Sequence, residues 1–273
     1  MTSRGEMAKR AGGGVDYGLA DKFAVVCASS RGLGYACAHQ LAHAGCGVAI
    51  NGRDGESLAL AAKAIEAETG RPVIAIAGDI AEPSVQQALL SAVPRVDILV
   101  NNNGGPAHRS FQDLDREAII EGVHANMITP FELVRQTVDG MVARGFGRII
   151  NITSIAVVMP LPGLDLSSGA RAGLTALLAG LARSVAHANV TINFLLPGAF
   201  ATARIHENLE AAARRSGGPA DEVLRQREQS IPARRFGLPE ELAAACCFLS
   251  SEQAGYITGQ SIRIDGGSYP GMW

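Results

Sequence analysis

The chain has 273 residues, 47% of them hydrophobic and 18% charged, which suits one large domain with a substantial core. A formal charge of -2 and no long basic run argue against nucleic acid or an anionic membrane as main partner. No apolar run reaches the roughly 20 residues of a membrane span, and Cys27, Cys37, Cys46, Cys246 and Cys247 form no zinc or redox spacing. They read as buried thiols of a cytoplasmic protein.

The opening "MTSRGEMAKRAGGG" is polar and glycine-rich. Residues 1–18 are expected to form a flexible arm ahead of a single dinucleotide-binding catalytic domain, 19–273. "FAVVCA" (23–28) reads as a buried strand followed by a helix through Leu41. "GVAI" (47–50) precedes a helix from about Ser57 to Glu68, and "VIAIA" (73–77) a short one near Val85 to Leu90. "VDILV" (96–100) leads to a long helix predicted from Glu117 to Ala143. "GRIINI" (147–152) precedes the alanine-rich helix 164–181; "VTINFLL" (190–196), a helix from Pro239 and "SIRID" (261–265) follow. Apolar strands without alternation, separated by helices, predict a doubly wound, Rossmann-type α/β fold. It has about seven parallel strands with helices on both faces. The charged segment at about 203–235 follows a strand end, where such folds place a lid or specificity loop.

Phosphate chemistry belongs after the first strand. "CASSRGLG" (27–34) puts Gly32 and Gly34 at the turn into the helix. Backbone N–H groups over Ser29, Ser30, Arg31, Gly32, Leu33 and Gly34 can receive a pyrophosphate, and glycine lets it approach closely. A tight turn alone would also use two glycines, so the later strand ends must decide. After strand two, Gly52 stands where an NAD site would carry an acid, with Arg53 beside it. Together with Arg31 this favours a 2′-phosphate, hence NADP(H) over NAD(H), although either arginine alone reads equally as a solvated charge. Asp79 and Ile80 follow strand three near the expected adenine pocket. Asn102 and Gly104 follow strand four, and Pro197, Gly198 and Thr202 in "PGAFAT" follow strand six. Turn chemistry alone does not account for four such strand ends. His39 and His43 have a zinc-compatible i, i+4 spacing, but no glutamate or third ligand accompanies them, so no metal is expected.

With these motifs in place, the sequence resembles the short-chain dehydrogenase/reductase family over roughly 19–267, in particular its 3-oxoacyl-acyl-carrier-protein reductase branch. "CASSRGLG" is similar to the family's T-G-x-x-x-G-x-G, with Cys27 and Ala28 for Thr-Gly. "NNNG" is similar to N-N-A-G, with Asn103 for alanine. "PGAFAT", "RRFGLPEELA" and "YITGQSIRIDGG" resemble its C-terminal third. The resemblance implies Asn126 as catalytic asparagine and Ser154 as catalytic serine. It places Ser167 and Arg171 at the family's Tyr-x-x-x-Lys positions. The usual tyrosine is therefore missing: Tyr17, Tyr35, Tyr256 and Tyr269 are far from this helix in sequence. The resemblance also implies a homodimer or homotetramer; helix 172–182 suits either a partner or its own sheet.

Carbonyl reduction needs a hydride and a proton for the developing alkoxide. A serine is far less acidic than a tyrosine of pKa ~10, and an arginine above ~12 is no general acid. Arg171 suits the nicotinamide ribose or a carboxylate, and Ser154 and Ser167 suit an alkoxide. Asp165 and His124 are the nearest other titratable groups, with a helix-entrance carboxylate and a packed or exposed histidine as the plain alternatives. Two readings follow. One is an NADP(H)-dependent oxidoreductase with an atypical proton path, acting on a small carbonyl or hydroxyl compound; an acyl thioester enters by family analogy alone. The other is a nucleotide-binding regulatory or partner subunit with little turnover. Retention of Asn126, Ser154 and the Thr202 turn favours the first, and loss of the tyrosine favours the second.

Overall fold

Strands that can bury both faces need no in/out alternation, and the computed structural model shows where that condition is met. It describes residues 16–105, 109–216 and 218–272. The first half runs β1 (Phe23–Val26), α1 (Gly32–His43), β2 (Gly47–Gly52), α2 (Gly55–Thr69), β3 (Val73–Ala77), α3 (Pro83–Ser91) and β4 (Ile98–Asn102). Next come α4 (Arg116–Val123), α5 (Thr129–Arg144), β5 (Gly147–Ile152), α6 (Asp165–Val185) and β6 (Val190–Pro197). The chain closes with α7 (Ala203–Ser216), α8 (Ala220–Gln229), α9 (Pro239–Ser250) and β7 (Ser261–Ile264).

All strand pairs are parallel, in the order β3-β2-β1-β4-β5-β6-β7. The chain winds outward from β1 to β3 and returns beside β1 at β4, which leaves a crevice between their carboxyl ends. Successive residues of one strand feed opposite cores. Val26, Ile50 and Val100 join Leu41, Leu58 and Leu242 on one side, whereas Val25, Ala49 and Leu99 join Leu133, Met141 and Leu174 on the other. The rule fails at the edge: β3 is as apolar as its neighbours, yet Ile74 is 42% exposed.

The helix expected over Glu117–Ala143 is two helices, α4 and α5, separated by one π-helical turn at His124–Ile128. Pro130 follows this turn, and its ring would clash with the carbonyl four residues back in an unbroken α-helix. The Thr129 N–H bonds five residues back, to the His124 carbonyl. The next donor in that register would serve the Ala125 carbonyl, and Pro130 has no N–H to give. The freed carbonyl needs a partner from elsewhere.

α6 buries Ser167, Ala170, Arg171, Leu174, Leu178, Ala182 and Val185 against its own sheet, a three- and four-residue stripe, and leaves Leu177 exposed. The segment expected as a lid contains α7 and α8. Residues at the end of the expected arm are held: Glu252 N–H donates to the Tyr17 carbonyl at 3.1 Å and Gln253 Nε2 to that of Asp16 at 2.7 Å. The rest of the arm, 1–15, lies outside the described residues. Among the described residues no helix is long and apolar enough to cross a membrane, and all five cysteines are buried free thiols.

Candidate active site

The groups singled out after each strand meet along the carboxyl edge of the sheet. The turn after β1 is locked from both sides. Ser29 N–H donates to the Asn51 carbonyl at 2.7 Å, the Ser29 hydroxyl to that of Val26 at 2.7 Å, and Asn102 Nδ2 to that of Ala28 at 3.0 Å. The Ser29 hydroxyl is thus spent inside the turn, where it also accepts the Asn51 N–H at 3.1 Å. Ala28 has φ +44° and Gly32 φ +62°, left-handed conformations that are strained for the alanine. Gly34 is required by contact: a Cβ there would lie 2.5 Å from the Ala28 oxygen and 2.6 Å from Asn102 Nδ2. The turn after β6 closes the other wall. A Cβ on Gly32 would sit 3.7 Å from Thr202 Cγ2, and Gly198 N–H bonds the Ile264 carbonyl at 2.9 Å, which fixes the Pro197–Thr202 loop.

Arg31 and Arg53 are both exposed at the open side of this crevice. A side chain at Gly52 would begin 3.1 Å from Ser30 Cβ and 3.3 Å from Leu58 Cδ1, so the end of β2 has little room for an acid. Asp79 is exposed and accepts the Ala81 N–H at 2.9 Å, whereas the Ile80 side chain belongs to the core. Gly104 is exposed, with nothing near its missing Cβ. Leu33 is half-buried against the core.

The second group of residues lies where β4, β5 and α6 converge. Arg171, 8% exposed, donates from Nε to Ser167 Oγ at 3.2 Å. Its Nη1 donates to the carbonyls of Ile152 (2.8 Å) and Thr153 (3.1 Å), and its Nη2 to that of Asn103 (3.1 Å). Burial, and after it the charge of Arg204, pull the Arg171 pKa down to about 10, so it stays cationic at neutral pH. Ser154, in extended backbone at the end of β5, accepts the Ala156 N–H on its hydroxyl at 3.1 Å, which aims the side chain. Asn126 is buried in the π-turn. Its Nδ2 bonds the Gly122 carbonyl at 3.3 Å, while its Oδ1 has no partner. That orphan acceptor is a place for a donor from outside the chain, such as water.

Asn103 is the residue that the sequence reading noticed but did not place in the site. Its Nδ2 donates to the Ala125 carbonyl, the oxygen that Pro130 leaves free, while its own carbonyl takes Arg171 Nη2. One residue, through its side-chain amide and its main-chain carbonyl, therefore ties the Asn126 turn to α6. The available signal was the amide standing in N-N-N-G where the resembled family has alanine.

The remaining candidates stand apart. His124 and Asp165 are exposed, and Asp165 lines a cavity of about 280 Å³ with Val157, Met159, Leu161 and Ser168. A larger depression of about 470 Å³, lined by Arg225, Glu228, Gln229 and Arg234, shares none of the site residues. His39 and His43 stack on one another, and His39 bonds Glu68 at 2.7 Å. Tyr35 stacks on His39, Tyr256 is fully exposed, Tyr17 docks against Glu252, and Tyr269 packs under Arg263.

With this geometry described, comparison with known proteins identifies the family. The profile described as Enoyl-(Acyl carrier protein) reductase matches residues 27–269. The chain belongs to the short-chain dehydrogenase/reductase family. It is 29% identical over 253 residues to a 3-oxoacyl-[acyl-carrier-protein] reductase of Chlamydia trachomatis, covering 91% of this chain and 98% of that one. It is 34% identical over 256 residues to an acetoacetyl-CoA reductase of Rhizobium meliloti, with coverage of 91% and 98%. The L-sorbose reductase of Gluconobacter frateurii, solved with NADPH and L-sorbose, superposes with a TM-score of 0.89 at 30% identity, covering 94% and 100%. Against this short-chain dehydrogenase/reductase background, the Ser167–Arg171 pair on α6 is the feature that calls for a chemical account.

Proposed function

We propose that this protein is an NADP(H)-dependent oxidoreductase that moves a hydride to or from a small carbonyl or hydroxyl compound of 3-oxoacyl type. One observation carries the reading. The Gly32–Gly34 turn, closed against β4 by Asn102, faces the Thr202 loop across the β1–β4 crevice, with Arg31 and Arg53 exposed and Gly52 rather than an acid at the end of β2. The cradle fits a dinucleotide, because Gly32 carries no Cβ toward the Thr202 loop and the amides of Ser30 to Gly34 start a helix. NADPH in the sorbose reductase, and the acyl substrates in the names of the bacterial relatives, support the same assignment.

When bound, the coenzyme supplies the hydride. The chain's own residues do the rest. Arg31 and Arg53 offer guanidinium donors to a 2′-phosphate, and the 30–34 amides offer donors to a pyrophosphate. The Ser154 and Ser167 hydroxyls are placed to hydrogen-bond an oxygen on which negative charge develops. Arg171 fixes Ser167 through Nε and adds a positive field that favours that charge. Asn126 Oδ1 holds a water, and the alkoxide takes its proton from solvent through that water and Ser167, the role a phenol fills in most of the family. The segment 203–235 acts as the lid, and the fold works as one catalytic domain in an oligomer.

Fluorescence titration of NADPH against NADH, followed by coenzyme oxidation across β-keto esters, thioesters and quinones, tests this directly. NADPH should bind more tightly than NADH, and Arg53→Ala should narrow the gap by roughly 10–100-fold, as expected for a charged hydrogen bond. Equal affinities in the wild type would refute the NADP assignment. Tight binding without turnover of any substrate would favour the non-redox alternative that the missing tyrosine raises.

A further inference from the structure

A guanidinium carries five N–H donors in a fixed planar fork. Arg171 spends four of them on its own chain. Nε donates to Ser167 Oγ, Nη1 to the carbonyls of Ile152 and Thr153, and Nη2 to that of Asn103, all at 2.8 to 3.2 Å. Counting only the chain's own atoms, the residue is 8% exposed. A ligand in the crevice therefore meets at most the one remaining hydrogen on Nη2.

The four acceptors belong to three parts of the fold. The β4–β5 ladder ends at the Asn102–Ile152 pair. Just past it the Arg171 fork bridges the two strand ends, with Nη2 on Asn103 and Nη1 on Thr153. Nε fixes the first turn of α6 to the same point. Each anchored residue leads directly to a group of the site. Ser154 follows Thr153, and Asn103 carries the amide that holds the Ala125 carbonyl beside Asn126. A lysine ammonium has three N–H groups on a single nitrogen and cannot make these four bonds at once.

We propose that Arg171 is a positioning residue: an internal clasp that sets Ser154, Ser167 and Asn126 as one unit, and that leaves the coenzyme ribose unheld. The site is then assembled before any ligand arrives. The coenzyme is anchored from its other half, the 2′-phosphate and pyrophosphate, by Arg31, Arg53 and the 30–34 amides. That anchoring rests on the functional reading above; the clasp does not.

The test titrates NADPH and 2′,5′-ADP, which lacks the nicotinamide half, into wild type, Arg171→Gln and Arg171→Lys by calorimetry. Each substitution should change both affinities by the same factor, about threefold or less, since neither nucleotide loses a contact. With ethyl acetoacetate, kcat should fall about tenfold or more at nearly constant KM, because buried carbonyls lose a donor. Amide exchange should rise in peptides covering 98–104 and 150–157. Leu178→Ala, buried on the same helix and making none of these bonds, should melt lower but keep its kcat. If Arg171→Gln fails to fold, Arg171→Lys, which keeps the charge, carries the comparison. NADPH affinity reduced about tenfold with 2′,5′-ADP affinity unaffected would make Arg171 a ribose ligand and overturn the proposal. Wild-type kcat or unchanged exchange in folded Arg171→Lys would overturn it as well. A wild type that binds neither nucleotide sinks the coenzyme reading alone, and the exchange measurement still decides the clasp.

Discussion

Gly34→Ala tests whether the nucleotide turn is as tightly closed as the structure shows. The new methyl would start 2.5 Å from the Ala28 oxygen and 2.6 Å from Asn102 Nδ2, with Ser29 Cα at 3.0 Å. Two of these three neighbours are backbone, and the third is an amide hydrogen-bonded to that same oxygen. Relief requires α1 to move off the sheet or Asn102 to give up its bond. Overpacking of this kind costs about 1–3 kcal/mol and the lost hydrogen bond about 1 kcal/mol more. At roughly 2–4 °C per kcal/mol for a chain this large, the melting temperature should fall by roughly 5–15 °C. Two internal controls are available. Gly32→Ala meets only Thr202 Cγ2, at an ordinary contact distance of 3.7 Å, but has φ +62°, so about 1–2 kcal/mol of backbone strain is expected. Gly104→Ala meets nothing within 4 Å and should be nearly neutral. Thermal melts of the three variants, with and without NADPH, give the ranking. A Gly34→Ala protein as stable as Gly104→Ala, with NADPH affinity intact, would refute the closed-turn argument.

Other substitutions probe the second group of residues. Ser154→Ala should lower turnover by ~10²-fold, the scale of a lost oxyanion donor; unchanged steady-state rates would remove Ser154 from the mechanism. Ser167→Tyr places a phenol one turn before Arg171 and should raise carbonyl reduction, with a pH profile that acquires a new ionisation. No gain in a folded variant would mean that the hydroxyl position is wrong. Asn103→Ala leaves the Ala125 carbonyl without its donor and should reduce kcat about fivefold with little change in KM, the equivalent of one hydrogen bond of about 1 kcal/mol. Asn103→Ser should recover part of that rate, and a variant of wild-type kcat would confine Asn103 to a structural role.

Much of the architecture was legible because its causes are local. Residues 73–77 and 147–152 read as strands and are strands to the residue, and Gly32 and Gly34 sit where a strand turns into a helix. The long helix was misread for an equally physical reason. Its helical pattern runs on through His124–Ile128, and only the hydrogen-bond register shows the five-residue step just before Pro130. The exposed face of β3 escaped notice because an edge strand carries the same apolar letters as a central one.

The amino-acid order by itself determined the strand–helix alternation, the parallel sheet it must form, the turns that need glycine, and a helix α6 that contains no tyrosine. Those follow from burial periodicity, backbone sterics and residue chemistry within a few positions. Tertiary structure alone decided that Asn103 completes the π-turn 22 residues away and that Arg171 reaches carbonyls 18, 19 and 68 residues away. It also decided that Arg204 meets Arg171 at Gly105. Such meetings depend on how crossovers bring strand ends together, and a buried charge or orphan carbonyl takes whichever partner that packing delivers.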